Sequence, residues 1–126
     1  MTKYAEASTL SMIPKAEKIV EYTYDIIAKL PRVEKYNIGT EVKNIAHSIM
    51  KSCVRINKVD KLDRMKYCNL LDSDIILSKV YIRLMHRQKY ISEKQYMYYI
   101  SILDELGKML GGYIKSLNLK DVKENK

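Results

Sequence analysis

At 126 residues the chain has the size of one domain, long enough to bury a single core and too short for two. Only 4 Gly and 2 Pro punctuate it, which favours a few long elements with short connections. The balance of 23 Lys+Arg against 15 Asp+Glu gives a net charge of +8. The absence of any membrane-length apolar run or secretory leader in "MTKYAEASTL" leads to the expectation of a cytoplasmic protein.

The first predicted helix runs from about Ser11, read as an N-cap followed by Pro14, to Leu30. Its apolar series is Ile13, Ala16, Val20, Thr23, Ile27 and Leu30, and Pro31 ends it. The second begins between Asn37 and Thr40 and reaches about Lys58, with Ile38, Val42, Ile45, Ile49, Cys53 and Ile56 on one face. The third, from about Asp60 to His86, is apolar on two faces: Leu71, Ile75, Ile82 and Met85 on one, Leu70, Leu77 and Leu84 on another. A helix apolar over so much of its circumference needs partners on both sides.

The fourth helix opens on "ISEKQY", where Ser92 and Gln95 form a capping box and Ile91 can staple onto Tyr96. Its face of Tyr96, Ile100, Leu103, Leu110, Ile114 and Leu117 continues to about Leu119, and residues 120–126 read as a frayed tail. Four amphipathic helices with short connections and no period-two strand pattern give an all-α, up-and-down antiparallel four-helix bundle, one domain over residues 1–126 with its core at about 11–119.

In "ELGKMLGGYIKS" three glycines interrupt the fourth helix, each costing roughly 1 kcal/mol relative to alanine. Gly107 and Gly111 share a face, and Gly112 lies to one side. Such a groove admits a neighbouring helix, in the same bundle or in another subunit. Together with the second apolar face of the third helix, it predicts an oligomer in which Gly107, Gly111, Gly112, Leu70, Leu77 and Leu84 serve packing.

Charge is unevenly spread. Residues 1–42 are neutral overall, whereas residues 43–66 hold seven basic and two acidic side chains. On the second helix Lys43, His47, Lys51 and Arg55 recur every four residues with Lys58 adjoining and no acid between them; the third repeats the device with Lys79, Arg83 and Arg87. One such stripe is ordinarily a solvated face, but two without interleaved acids point to a polyanionic partner such as a phosphate backbone, read by charge and shape. A surface of this kind equally suits an acidic protein partner.

No catalytic residue, metal site or cofactor motif is expected. The histidines lack a ligand-spaced partner, and Asp72 and Asp74 point in different directions on a helix. Cys53 and Cys68 read as reduced, half-buried thiols. The 11 tyrosines, at helical spacing, read as edge-of-core residues with hydroxyls reaching solvent rather than as base-stacking rings.

Four stretches together, "LPRVEKYNIG", "LLDSDIILSKVYIRL", "YISEKQYMYY" and "ELGKMLGGYIKS", give the chain a resemblance to the Avd family, the accessory variability determinants of diversity-generating retroelements. The resemblance spans about Pro14 to Leu117, and its most specific part is Leu106 to Tyr113, where family members often carry Trp in place of Tyr113. It implies a four-helix bundle assembled into a basic, barrel-like homopentamer. It further implies a non-catalytic protein that binds the retroelement's reverse transcriptase and its template RNA or cDNA during mutagenic cDNA synthesis. Lys43, Lys51, Arg55, Lys58, Lys79, Arg83 and Arg87 would then contact phosphates or an acidic patch on the polymerase. A sister family, the four-helix proteins encoded in ribosomal RNA intervening sequences, usually ends its second helix in a motif like SIxxNIAEG. The chain reads "SIMKSCVRINK" there, which favours Avd.

Overall fold

The computed structural model describes the backbone of residues 3–124 and the side chains of residues 11–118. Its elements are α1 (Lys3–Ala28), α2 (Arg32–Lys35), α3 (Ile38–Arg55), α4 (Lys61–Arg87) and α5 (Glu93–Glu124). No described residue lies in a strand. α1 and α4 each pack against both α3 and α5, so the four long helices close a ring with α1 and α4 at opposite corners.

Side-chain pairs fix the directions. Lys15 with Glu105 and Tyr22 with Tyr98 run α1 against α5. Ser48 with Asp74 and Arg55 with Tyr67 run α3 against α4, and Lys79 with Asp104 and His86 with Glu93 run α4 against α5. All three pairings are antiparallel, and the expected up-and-down bundle is what forms.

The core draws a three-and-four spaced series from every long helix. α3 contributes Val42, Ile45, Ala46, Ile49 and Cys53, with Ile56 just beyond its end, and α4 contributes Cys68, Leu71, Ile75, Ile82 and Met85, both close to the periodic faces of the sequence. In α1 the buried line is Met12, Ala16, Ile19, Thr23 and Ile26, with Leu30 just beyond its end, and in α5 it is Tyr99, Ile102, Leu103, Leu106, Leu110 and Tyr113. Ile13, Val20 and Ile27 in α1, and Tyr96, Ile100, Ile114 and Leu117 in α5, sit instead on the flanks, half-buried. A helix wedged between two neighbours is apolar on both flanks as well as at its centre, so the predicted faces were rotated towards one neighbour.

Helix boundaries differ at both ends of the chain. Ser11 is not an N-cap: helix already runs from Lys3, and Pro14 lies inside it, where its ring removes one backbone donor. The expected frayed tail is helical backbone as far as Glu124; residues 125 and 126 lie outside the described residues. The capping box forms as read, with Ser92 N donating to Gln95 Oε1 at 2.8 Å and Gln95 N to Ser92 Oγ at 3.1 Å.

The one-turn helix α2, unforeseen from the sequence, brings the chain from α1 back to α3, and a different glycine makes it possible. A Cβ on Gly39 would stand 3.1 Å from the carbonyl oxygen of Glu34 and 3.4 Å from Leu30 Cδ1, so only glycine lets α3 begin against this turn without displacement. Gly107, Gly111 and Gly112 behave oppositely. A Cβ at any of them would meet nothing within 4 Å. Packing inside the bundle is therefore not what they serve.

Two buried tyrosines also depart from the expected edge positions. Tyr99 and Tyr113 are each 1% exposed. The Tyr99 hydroxyl shares a short hydrogen bond with Thr23 Oγ1, which in turn donates to the Ile19 carbonyl at 2.7 Å. Both cysteines are free and fully buried. Burial, with a smaller contribution from Cys68, pushes the Cys53 thiol up to about 12, and burial pushes Cys68 up to about 11 against the opposing pull of Arg64.

Candidate partner-binding surface

The α3 stripe follows from a simple mismatch. Side chains four apart advance by about 40° around a helix, so Lys43, His47, Lys51 and Arg55 spiral slowly across the face opposite the core. Lys43 starts half-buried near α1, Lys51 and Arg55 are exposed, and Arg55 leans towards α4 with its guanidinium carbon 6.0 Å from the Tyr67 ring. Lys58 is exposed in the turn that follows. His47 is not a free member of the stripe, because its Nε2 lies 2.7 Å from the Tyr24 hydroxyl.

The second stripe is divided by its own pairings. Lys79 gives its charge to Asp104 at 2.5 Å, half-buried between α4 and α5, which makes it a bundle clamp rather than an open cation. His86 is bound to Glu93 at 2.7 Å and stacked on Tyr96. Arg83 and Arg87 remain exposed. Among the described residues Lys43, Lys51, Arg55, Lys58, Arg83 and Arg87 form no ion pair.

The two stripes do not merge. On α4 the residues facing α3 lie near Asp74 and those facing α5 near Lys79. Helical geometry then puts Arg83 and Arg87 on the outward side nearer α5 and Leu70, Leu77 and Leu84 on the outward side nearer α3. The leucines stand between the cations of α3 and the arginines of α4.

This outward face of α4 is apolar along most of its length. Leu70, Leu77 and Leu84 are 40%, 43% and 37% exposed, and Ile76 and Val80 are exposed beside them. The antiparallel register set by Lys79 and Asp104 carries Gly107 next to Ile76 and Gly111 next to Asp72. Gly107 of α5 thus adjoins the apolar strip of α4 at Ile76, whereas Gly111 adjoins an acid. The sequence singled out both halves, but only the register shows that they adjoin.

A separate depression lies between α1 and α3 on the other flank. It is lined by Ile13, Met50 and Val54, with Glu17 on one rim and Lys51 and Arg55 on the other, and is an open depression of about 350 Å³. Nothing in the periodic reading indicated it, since Ile13 and Met50 look like ordinary core-flank positions. No three His, Cys, Asp or Glu side chains among the described residues gather as a metal site, and no described helix is long and apolar enough to cross a membrane.

An antiparallel helical bundle that turns an apolar strip and unpaired cations outward defines a small all-α module. Within that class the chain belongs to the bAvd-like family, whose model matches residues 11–117. Among solved structures, it is similar to a protein of unknown function from the S23 ribosomal protein family of Bacteroides thetaiotaomicron, with a TM-score of 0.79 and 16% identity over 86% of this chain and 98% of that one. At that identity the likeness speaks to the fold. Comparison with curated proteins finds no match.

Proposed function

We propose that this chain is a non-catalytic accessory protein of a diversity-generating retroelement, working in the cytoplasm as a homo-oligomer that binds the retroelement's reverse transcriptase and its template RNA or cDNA. The observation that carries the reading is membership of the bAvd-like family over nearly the whole bundle. The unpaired, outward cations support it, because a polyanion would neutralise charges that the chain itself leaves uncompensated. Lys43, Lys51, Arg55, Lys58, Arg83 and Arg87 are the contacts of this reading to phosphates or to an acidic patch on the polymerase, and Lys79, already paired, is removed from the set.

The oligomer is built on the outward strip of α4. An exposed apolar face of five side chains beside a glycine surface is what subunit contacts require, and a barrel-like homopentamer is the assembly this reading entails. Repeating the cations around such a ring multiplies weak contacts into tight binding. The alternative is a scaffold for an acidic protein partner, or a bundle of the ribosomal-RNA intervening-sequence kind.

The test is light-scattering mass with and without a structured RNA at low and moderate salt. The expected result is a defined oligomer that takes up RNA with a steep salt dependence. Lys58→Glu and Arg83→Glu should each reduce the slope of log affinity against log salt by roughly 0.7 to 0.9 per lost contact. A monomer indifferent to RNA would overturn the reading.

A further inference from the structure

The depression between α1 and α3 differs from the rest of the basic surface in having an apolar floor. Ile13, Met50 and Val54 line it, and Val54 is 44% exposed although it is aliphatic. Lys51 stands on the α3 rim without an acidic partner among the described residues, and Glu17 on the opposite rim does not reach it; Arg55 also lines this side, with its guanidinium turned towards the Tyr67 ring of α4.

We propose that this groove is a docking site for an acidic amphipathic helix of a protein partner, with an apolar anchor seated on Ile13, Met50 and Val54 and carboxylates facing Lys51. This deepens the reading above, from which it takes the premise that the basic face of α3 engages partners, and assigns one part of that face to protein.

Three features separate this site from a phosphate surface. Its lining holds no aromatic ring, so it offers a base nothing to stack on, whereas single-stranded nucleic acid is gripped by rings as well as charge. Glu17 would repel a phosphate run laid along the groove, yet tolerates a helix whose acids are confined to one side. The volume, about 350 Å³, takes one or two side chains, and a furrow between two parallel cylinders is the shape that receives a third helix through anchors three or four residues apart. Met50 suits such a floor because an unbranched thioether adapts its shape to different anchors.

The experiment uses the full chain and two probes, a synthetic end-capped helical peptide of Leu and Glu repeats and an oligouridylate, each titrated while the signals of Ile13, Met50 and Val54 are followed by NMR. The peptide should shift these signals. Val54→Asn, which leaves the charge of the face unchanged, should weaken it about tenfold or more, the loss expected for one buried aliphatic contact, and Lys51→Glu should weaken it as well. Oligouridylate affinity should be unaffected by Val54→Asn. Both substitutions fall at exposed positions, and the helical spectrum of each variant checks the fold. A peptide that leaves the floor signals unmoved, or an oligouridylate that moves them and is weakened by Val54→Asn, would overturn the proposal. Loss of oligouridylate binding everywhere, with peptide binding intact, would instead count against the retroelement reading while leaving the groove assignment standing.

Discussion

Tyr113 and Tyr99 are both buried in α5, but their hydroxyls have opposite fates. That of Tyr99 is bonded to Thr23, and that of Tyr113 has no partner. An orphaned buried hydroxyl carries its desolvation cost uncompensated, whereas a bonded one returns it. Tyr113→Phe should therefore stabilise the protein by about 1 kcal/mol and Tyr99→Phe destabilise it by a similar amount, as read from denaturant midpoints. The cysteines give a second expectation. Their folded values, about 12 and about 11, lie above the ordinary 9.0, so the stability they contribute is complete below pH 9.0 and is lost as pH rises through the folded values. Urea midpoints should fall on that alkaline side, less steeply in a Cys53→Ala, Cys68→Ala background, and native thiols should resist alkylation until the chain unfolds. The sequence read the thiols as reduced and half-buried; the structure buries both completely, because each falls on the centre line of its helix between two neighbours. Nor did the sequence reveal which tyrosines enter the core, since a residue apolar in body and polar at its tip fits centre or edge, and only the packing of α1 against α5 decides.

Between α4 and α5 the chain turns within a few residues, and both halves of that turn are local hydrogen-bond devices. α4 ends with Tyr90 N bonded to Met85 O at 2.9 Å and Lys89 N to His86 O at 3.0 Å, the paired pattern that closes a helix with a left-handed residue. That residue is Lys89, with φ 64°, not a glycine. Lys89→Gly should raise stability by roughly 0.5 to 1 kcal/mol, the relief of the left-handed Cβ less the added freedom of the unfolded chain. Ser92→Ala, which removes the cap of α5, should cost about 1 kcal/mol. Thermal or denaturant melts of the two variants should move in opposite directions. The capping box was legible because its donors and acceptors lie three residues apart in the sequence. The start of α1 was not, because a Ser followed by Pro satisfies the chemistry of a helix entrance even where a helix has already begun, and α2 depends on the close approach of Gly39 to Glu34, a contact without a periodic signature.

For the whole molecule, the fold class was legible because four long amphipathic segments with scant punctuation leave little choice but a bundle. The candidate surface was legible only in pieces: the cations and the second apolar face could be named, while their separation, the pairing of Lys79 and the groove at Val54 depend on which helices are neighbours. The assembly has its own test. Gly107→Ala and Gly111→Ala enter open space in a helix and should each raise the stability of the separated subunit by up to about 1 kcal/mol. If the proposed interface is right, they should also lower the mass seen by light scattering, as should Leu77→Glu, without loss of helical signal. A rise in stability with unchanged mass would locate the contact elsewhere. The angle at which that surface is offered is set by the buried line of α5 and trimmed by two consecutive acids on its outer side. Asp104 reaches to Lys79 of α4 and Glu105 to Lys15 of α1, each at 2.5 Å and about 100° apart around the same helix. A roll of α5 about its axis would lift one acid away from its lysine as it pushed the other inward. The pair acts as two stays on a mast, and the azimuth it trims is the one that keeps Gly107 level with the apolar strip of α4. Exchanging Lys15 for an acid should therefore disturb subunit contact from a distance, through the bearing of a helix rather than through anything the neighbouring subunit touches.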